Sequence, residues 1–204
     1  MTEGSGAAGL AGVFDPRGGA PESRRADAAA ALGDGPGVQA TADGPLALAV
    51  RAGGLHEGDG VLCALEGAIY NVSAVAQAAG ADPATAPAAL LATAWRRLGG
   101  GLPSLLRGDF ILVLWEPAAG RGLLVRDQLG GRGLVWHREG ERLLFASEAR
   151  QLNSLLGRTP EPDRAAVAHW LAVSGMPGDR SLYAGVRRLQ AAHLLALGEP
   201  GHGG

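Results

Sequence analysis

Residues able to do covalent or metal chemistry are few in this sequence, and they are scattered. Its single thiol, Cys63, lies inside the apolar run Gly60 to Leu65 and reads as a core residue; one cysteine cannot form an internal disulfide. The five histidines share no spacing suited to a metal, and His137, His169 and His193 read as surface or strand-end residues, so no metal site is expected. If Met1 were removed, Thr2 would join a hydroxyl nucleophile to its own α-amine as base. Arg51 ends a strand-like run, where an arginine ordinarily makes surface ion pairs.

Composition narrows the classes. A chain of 204 residues can bury about 70% of its unfolded surface, so a core needs neither disulfides nor a metal. Ala, Gly, Leu and Val must do the packing, because only 4% of residues are aromatic. No lysine occurs and every basic residue is arginine, which reads as the codon bias of a GC-rich, bacterial genome. With a net charge of −2 and no basic block, nucleic acid is not an expected partner. Residues 1–6 are polar and unlike a signal peptide, and no apolar run reaches about 18 residues, so a cytoplasmic protein without a membrane span is expected.

The elements follow from pattern. Residues 1–7 read as a mobile leader and 198–204 as a frayed tail. Ala8 to Phe14 alternates small and larger apolar residues before Asp15-Pro16, as in a buried strand approached closely by another backbone. Glu22 to Leu32 predicts a short helix, Pro45 to Val50 a strand delivering Arg51, and Gly60 to Leu65 another strand. Helices are predicted from Asn71 to Ala79 and from Ala86 to Leu98, the second with Leu90, Leu91, Ala94, Trp95 and Leu98 on one face and ending at Gly99-Gly100-Gly101. Strands are expected at Asp109 to Trp115 and Gly122 to Arg126, and a hairpin from Gly133–His137 and Arg142–Ala146. Ser147 is the expected N-cap of a helix through Leu156, and Asp163 of one to about Val173.

Several stretches, in order, resemble the class II glutamine amidotransferase (Ntn-type) domain of the asparagine synthetase-like family. Ala8 to Asp15 is similar to its Cys-Gly-Ile-Ala-Gly-Val-Phe-Asp opening, and Glu66-Gly67-Ala68-Ile69-Tyr70-Asn71 to its Asn-Gly-Glu-Ile-Tyr-Asn. Leu106 to Glu116, Val125 to Gly130 and Leu144 to Glu148 resemble three further motifs, and Gly185 to Leu194 resembles the segment closing the domain. The resemblance spans about residues 8–197 and implies an α+β fold, a four-layer αββα sandwich of two antiparallel sheets.

It also implies what chemistry is lacking. Glutamine hydrolysis of this kind needs a thiolate, a free α-amine as base, oxyanion donors, and charges that hold the substrate's carboxylate and ammonium. The nucleophile position is Ala8, whose nitrogen is a peptide amide; the oxyanion asparagine falls on Glu66, a carboxylate; the next family glutamate is Ala68, and the acid for the ammonium falls near Pro87. Arg51, matching the carboxylate-binding arginine, and the Gly67 N–H are what the resemblance leaves. Thr2 stands six residues before the strand position where chemistry belongs, on a Gly-containing linker.

Family enzymes continue into an ATP-pyrophosphatase (synthetase) domain with a Ser-Gly-Gly-x-Asp-Ser loop, and Ser174-Gly175-Met176-Pro177 is not one. No cofactor is therefore expected in this chain; ATP and magnesium would belong to a synthetase domain or chain acting as partner. Relatives lacking the cysteine include β-lactam synthetases and lasso-peptide macrocyclases, so a glutaminase-silent docking half of such an amide-bond-forming system is the leading expectation. A precursor peptide is a further candidate partner. A docking face is expected among Trp115, Trp136 and residues 181–197. The alternatives are an Ntn-type amidohydrolase with a nucleophile other than cysteine, or an amino-acid-binding module using Arg51.

Overall fold

The computed structural model describes residues 8–18, 21–33, 35–176 and 178–198. In chain order the elements are β1 (Gly9–Phe14), α1 (Pro21–Ala31), β2 (Val38–Asp43), β3 (Leu46–Arg51), β4 (Gly53–Gly58) and β5 (Val61–Ile69). Then follow α2 (Val72–Ala79), α3 (Pro87–Leu98), α4 (Leu102–Leu105), β6 (Gly108–Glu116), β7 (Arg121–Arg126), β8 (Val135–Glu139) and β9 (Arg142–Ala146). The chain finishes with α5 (Ala149–Leu156), α6 (Arg164–Val173), β10 (Val186–Arg188) and β11 (Leu194–Gly198). One sheet has the order β10-β8-β9-β1-β3-β2 and the other β11-β7-β6-β5-β4, with every ladder antiparallel.

Alternation along the central strands decides the layering. Leu10 and Phe14 of β1 meet Leu62 and Ala64 of β5 and Ile111, Val113 and Trp115 of β6 in a core between the sheets. The intervening residues point outward. Ala11 and Val13 pack under Ala28, Leu32 and Leu152 of the first helical layer, and Cys63, Leu65, Phe110, Leu112 and Leu114 pack under α2 and α3. The result is helix, sheet, sheet, helix, the expected α+β sandwich.

Four strands, β2, β4, β10 and β11, were not expected from the sequence. β2 (Val-Gln-Ala-Thr-Ala-Asp) and β4 (Gly-Gly-Leu-His-Glu-Gly) are half-exposed edges; β2 alternates apolar and polar residues but largely through small alanines, and β4 has one large apolar residue, Leu55. The glycines at 99–101 form a 3-10 turn that leads directly into α4, where Leu102 is buried. Trp115, expected on a docking face, instead lies between the sheets at 2% exposure, edge-on to Phe14 at 5.3 Å; Trp136 is half-buried against the same core.

Candidate functional site

Ala8 immediately precedes β1, which runs between β3 and β9. Backbone closeness there is a requirement of packing. A side chain on Gly9 would collide with Gln151, and one on Gly12 with the ring of Phe145. The alternation of glycine and leucine thus admits α5 on one side and the inter-sheet core on the other.

Glu66 continues the inter-sheet row of Leu62 and Ala64, so its carboxylate enters the end of the core rather than solvent, and the residue is 3% exposed. Two groups meet it. Ser147 Oγ donates a short hydrogen bond to Oε2, and Arg132 Nη1 donates to Oε1 at 3.1 Å. The Arg132 Nε also lies 3.5 Å from the Asp109 carboxylate and donates to the Asp109 carbonyl at 3.3 Å. Ser147 in turn ties β9 to β1: its Oγ accepts from the Leu10 N–H at 2.9 Å, and its own N–H donates to the Leu10 carbonyl at 2.8 Å. The expectation that Ser147 caps α5 is thereby corrected. Glu148 is the cap residue, its N–H donating to Gln151 Oε1 at 3.1 Å, and Ser147 is committed to the sheets.

Gly67 follows at φ 102°, where an added Cβ would strike the Asp109 carbonyl and Arg132 Nε. Glycine alone leaves room here for the close approach of Arg132 and the Asp109 backbone. Ala68 is exposed opposite Asp109, and Pro87 opens the first turn of α3 without a polar group.

Arg51 pairs with Gly9 across β1 and β3, but its parity is that of Ala47 and Ala49, on the helix-covered face. Its Nη2 donates to the Gly33 carbonyl at 2.6 Å after α1, it is 5% exposed, and its Nε has no partner among the described residues. The structure therefore gathers Ala8, Glu66 and Gly67 at one end of the sandwich and turns the Arg51 guanidinium to the other side of the sheet. Arg132 and Asp109 were not singled out in the sequence as site residues, and Ser147 was expected only as a helix cap. Arg132 lies between glycines, and its partner is 66 residues away, so no local pattern marks it.

Thr2 lies outside the described residues. Cys63 is buried under α3, and burial pushes its thiol well above the ordinary range, which suppresses the reactive thiolate. Among the described residues no three His, Cys, Asp or Glu side chains gather as a metal site would require, and no helix is long and apolar enough to cross a membrane. Ser174 and Gly175 come after the C-terminal end of α6, where helix carbonyls point outward. A phosphate loop needs the opposite end of a helix, so these residues do not fit ATP.

The same end of the second sheet carries a cavity of about 720 Å³ lined by residues including Tyr70, Arg107, Phe110, Arg126, Leu129 and Leu194. Burial works against the Arg126 charge there, and neighbouring Asp127 partly offsets it.

A family model for the glutamine amidotransferase domain matches residues 55–202, which includes Glu66, Gly67 and Arg132 but begins after β1 and Arg51. No curated protein matches the sequence. Among solved structures, the glutamine phosphoribosylpyrophosphate (PRPP) amidotransferase from B. subtilis, complexed with ADP and GMP, is similar with a TM-score of 0.52 and 14% identity, over 72% of this chain and 43% of that one. The structure of the allosteric regulatory enzyme of purine biosynthesis is similar with a TM-score of 0.60 and 14% identity, over 94% of this chain and 47% of that one. The chain thus spans less than half the length of either neighbour, and at this identity the likeness speaks to the Ntn-hydrolase-like fold. With the family model covering well over half of the sequence, the chain belongs to the glutamine amidotransferase domain family.

Proposed function

We propose that this chain is a glutaminase-silent member of the asparagine synthetase-like branch, serving as the docking half of an ATP-dependent amide-bond-forming system of macrocyclase or β-lactam-synthetase type. One observation carries the reading. Where the family chemistry needs a thiolate and an oxyanion donor, this chain has the methyl of Ala8 and a buried Glu66 carboxylate locked to Arg132 and Ser147. A carboxylate accepts hydrogen bonds and opposes negative charge developing beside it, and losing one oxyanion donor alone costs on the order of 10²–10³ in rate. Its partner in this reading is a synthetase domain or chain that supplies the ATP and magnesium chemistry, with a precursor peptide as further partner.

The exposed surface supports docking. In α6 Ala166 is the buried residue, while Trp170, Leu171 and Val173 are 46%, 71% and 60% exposed. A helix that is apolar on most sides is ordinarily covered.

Incubation of the purified chain with glutamine tests the silence: no ammonia above background is expected. Enzymatic turnover that vanishes on Thr2→Ala would instead establish an active hydrolase. Co-expression with a synthetase encoded beside this chain tests the docking. Co-purification that Leu171→Glu abolishes is expected, and separate elution with unchanged synthetase activity would defeat it.

A further inference from the structure

We propose that the cavity at the end of the second sheet is a docking groove for a polypeptide segment that presents a carboxylate beside aliphatic or aromatic side chains. Its walls come from four separate stretches: Tyr70 after β5, Arg107 before β6, Arg126 at the end of β7 with Gln128 and Leu129 beyond it, and His193-Leu194 entering β11. Packing explains the floor, since Phe110 and Val125 are buried core residues. It does not explain the rim. Tyr70 is 72%, Leu129 88% and Leu194 46% exposed, so three large apolar side chains stand in water around one opening.

The rim is held rigidly. The Asp127 carboxylate accepts the N–H groups of Leu129 at 2.8 Å and Gly130 at 2.7 Å, which fixes the loop that displays Leu129. Arg126 donates from Nε to the Arg132 carbonyl at 2.6 Å, from Nη1 to that of Leu189 at 2.5 Å and from Nη2 to that of Gly130 at 2.6 Å. A surface ordered in advance loses little entropy when a partner arrives.

Charge selects the partner. Among the described residues no aspartate or glutamate lines the groove, while Arg107, Arg126 and His193 do. Neither Arg107 nor Arg126 has a carboxylate ion-pair partner among the described residues. Asp127 offsets Arg126 from behind the wall, so exposed Arg107 carries the accessible charge. Shape argues for a polypeptide over a nucleotide or phosphate. Small-ligand sites enclose most of their ligand, whereas here large apolar side chains stand exposed around the opening, and Arg126 has spent three donors on carbonyls. None of Glu66, Asp109, Arg132 or Ser147 lines the groove, so the inference holds whether or not the chain hydrolyses glutamine.

A displayed library of random twelve-residue peptides, selected on the full chain, tests this. Enriched peptides are expected to carry Asp or Glu beside Leu, Ile, Phe or Tyr, and to lose affinity with added salt. Their affinity is expected to fall at least about tenfold with Arg107→Glu and with Leu129→Ser, both exposed positions that leave the circular dichroism spectrum unchanged. Enrichment without acidic bias, affinity that survives both substitutions, or no enrichment would each overturn the proposal. Binding of AMP or inorganic phosphate that Arg107→Glu abolishes, without peptide enrichment, would assign the groove to small anions and overturn it as well.

Discussion

Glu66 and Arg132 meet where the two sheets end, and the pair is unequal: the glutamate side chain is 4% exposed and the arginine 30%. Removing the arginine leaves a carboxylate in the core mouth with Ser147 as its remaining donor. Arg132→Ala is therefore expected to destabilise the protein by about 2 kcal/mol, below the full cost of breaking a buried pair because water already reaches the guanidinium. Adding Glu66→Leu is expected to recover most of that loss, since neither charge is then stranded. Urea denaturation of the single and double variants measures both, and a single variant within about 0.5 kcal/mol of wild type would show the pair to be decorative. Residue types at this site were readable from the sequence: Ala8 and Glu66 cannot be a thiolate and an oxyanion donor wherever they sit. What was not readable was direction. Arg51 ends β3 and Glu66 lies late in β5, but Arg51 shares parity with Ala47 and Ala49 and faces α1, whereas Glu66 shares parity with Leu62 and Ala64 and faces the other sheet.

Among the elements, α6 depends most on its ends, because its body buries so little. Asp163 Oδ1 accepts the Ala166 N–H at 3.1 Å, and the Arg180 guanidinium contacts both Asp163 oxygens at 2.8–2.9 Å. The Ala166 N–H first, and Arg180 second, hold this carboxyl below its ordinary value. A depressed native value means that the cap's contribution is complete above the unfolded value of about 3.9 and is lost as pH falls through the native one. The Ala166 amide resonance followed from pH 6 to pH 2 is expected to move with a midpoint below that of a free aspartate, and a midpoint at or above it would refute the cap. This cap was legible because Pro-Asp before an apolar run is a local signal, as were α2, α3 and β6. The edge strands β2 and β4 were not, since half-exposed edges can be built from weak strand formers, alanine in β2 and glycine in β4. Ser147 misled for a related reason: its local sequence suits a cap, but the Leu10 backbone and Glu66 compete for the same hydroxyl and win.

For the whole molecule, the question is whether three stacked cores unfold as one. Phe145 is fully buried between the sheets, and Cys63 is fully buried on the far side of the second sheet, beneath α3. Phe145→Ala is expected to cost about 3–5 kcal/mol, because the rigid sheets cannot close over the lost ring. Cys63 reports the consequence one layer away. Burial holds its thiol protonated, while an unfolded thiol ionises near pH 8.5, so labelling by a disulfide reagent at pH 8 reads the opened state. The same difference makes stability complete below about pH 8.5 and makes it decline above that, as the unfolded chain sheds a proton that the native chain keeps. If the layers form one cooperative unit, Phe145→Ala speeds Cys63 labelling by the full loss, on the order of 10²-fold or more. If labelling is unchanged while the unfolding midpoint falls, the second sheet and its helices open independently of the first. The inter-sheet contacts of Leu62, Ala64, Ile111, Val113 and Trp115 with the first sheet argue for the former, because exposing Cys63 by separating β5 from α3 leaves β5 and β6 holding that core without their outer cover.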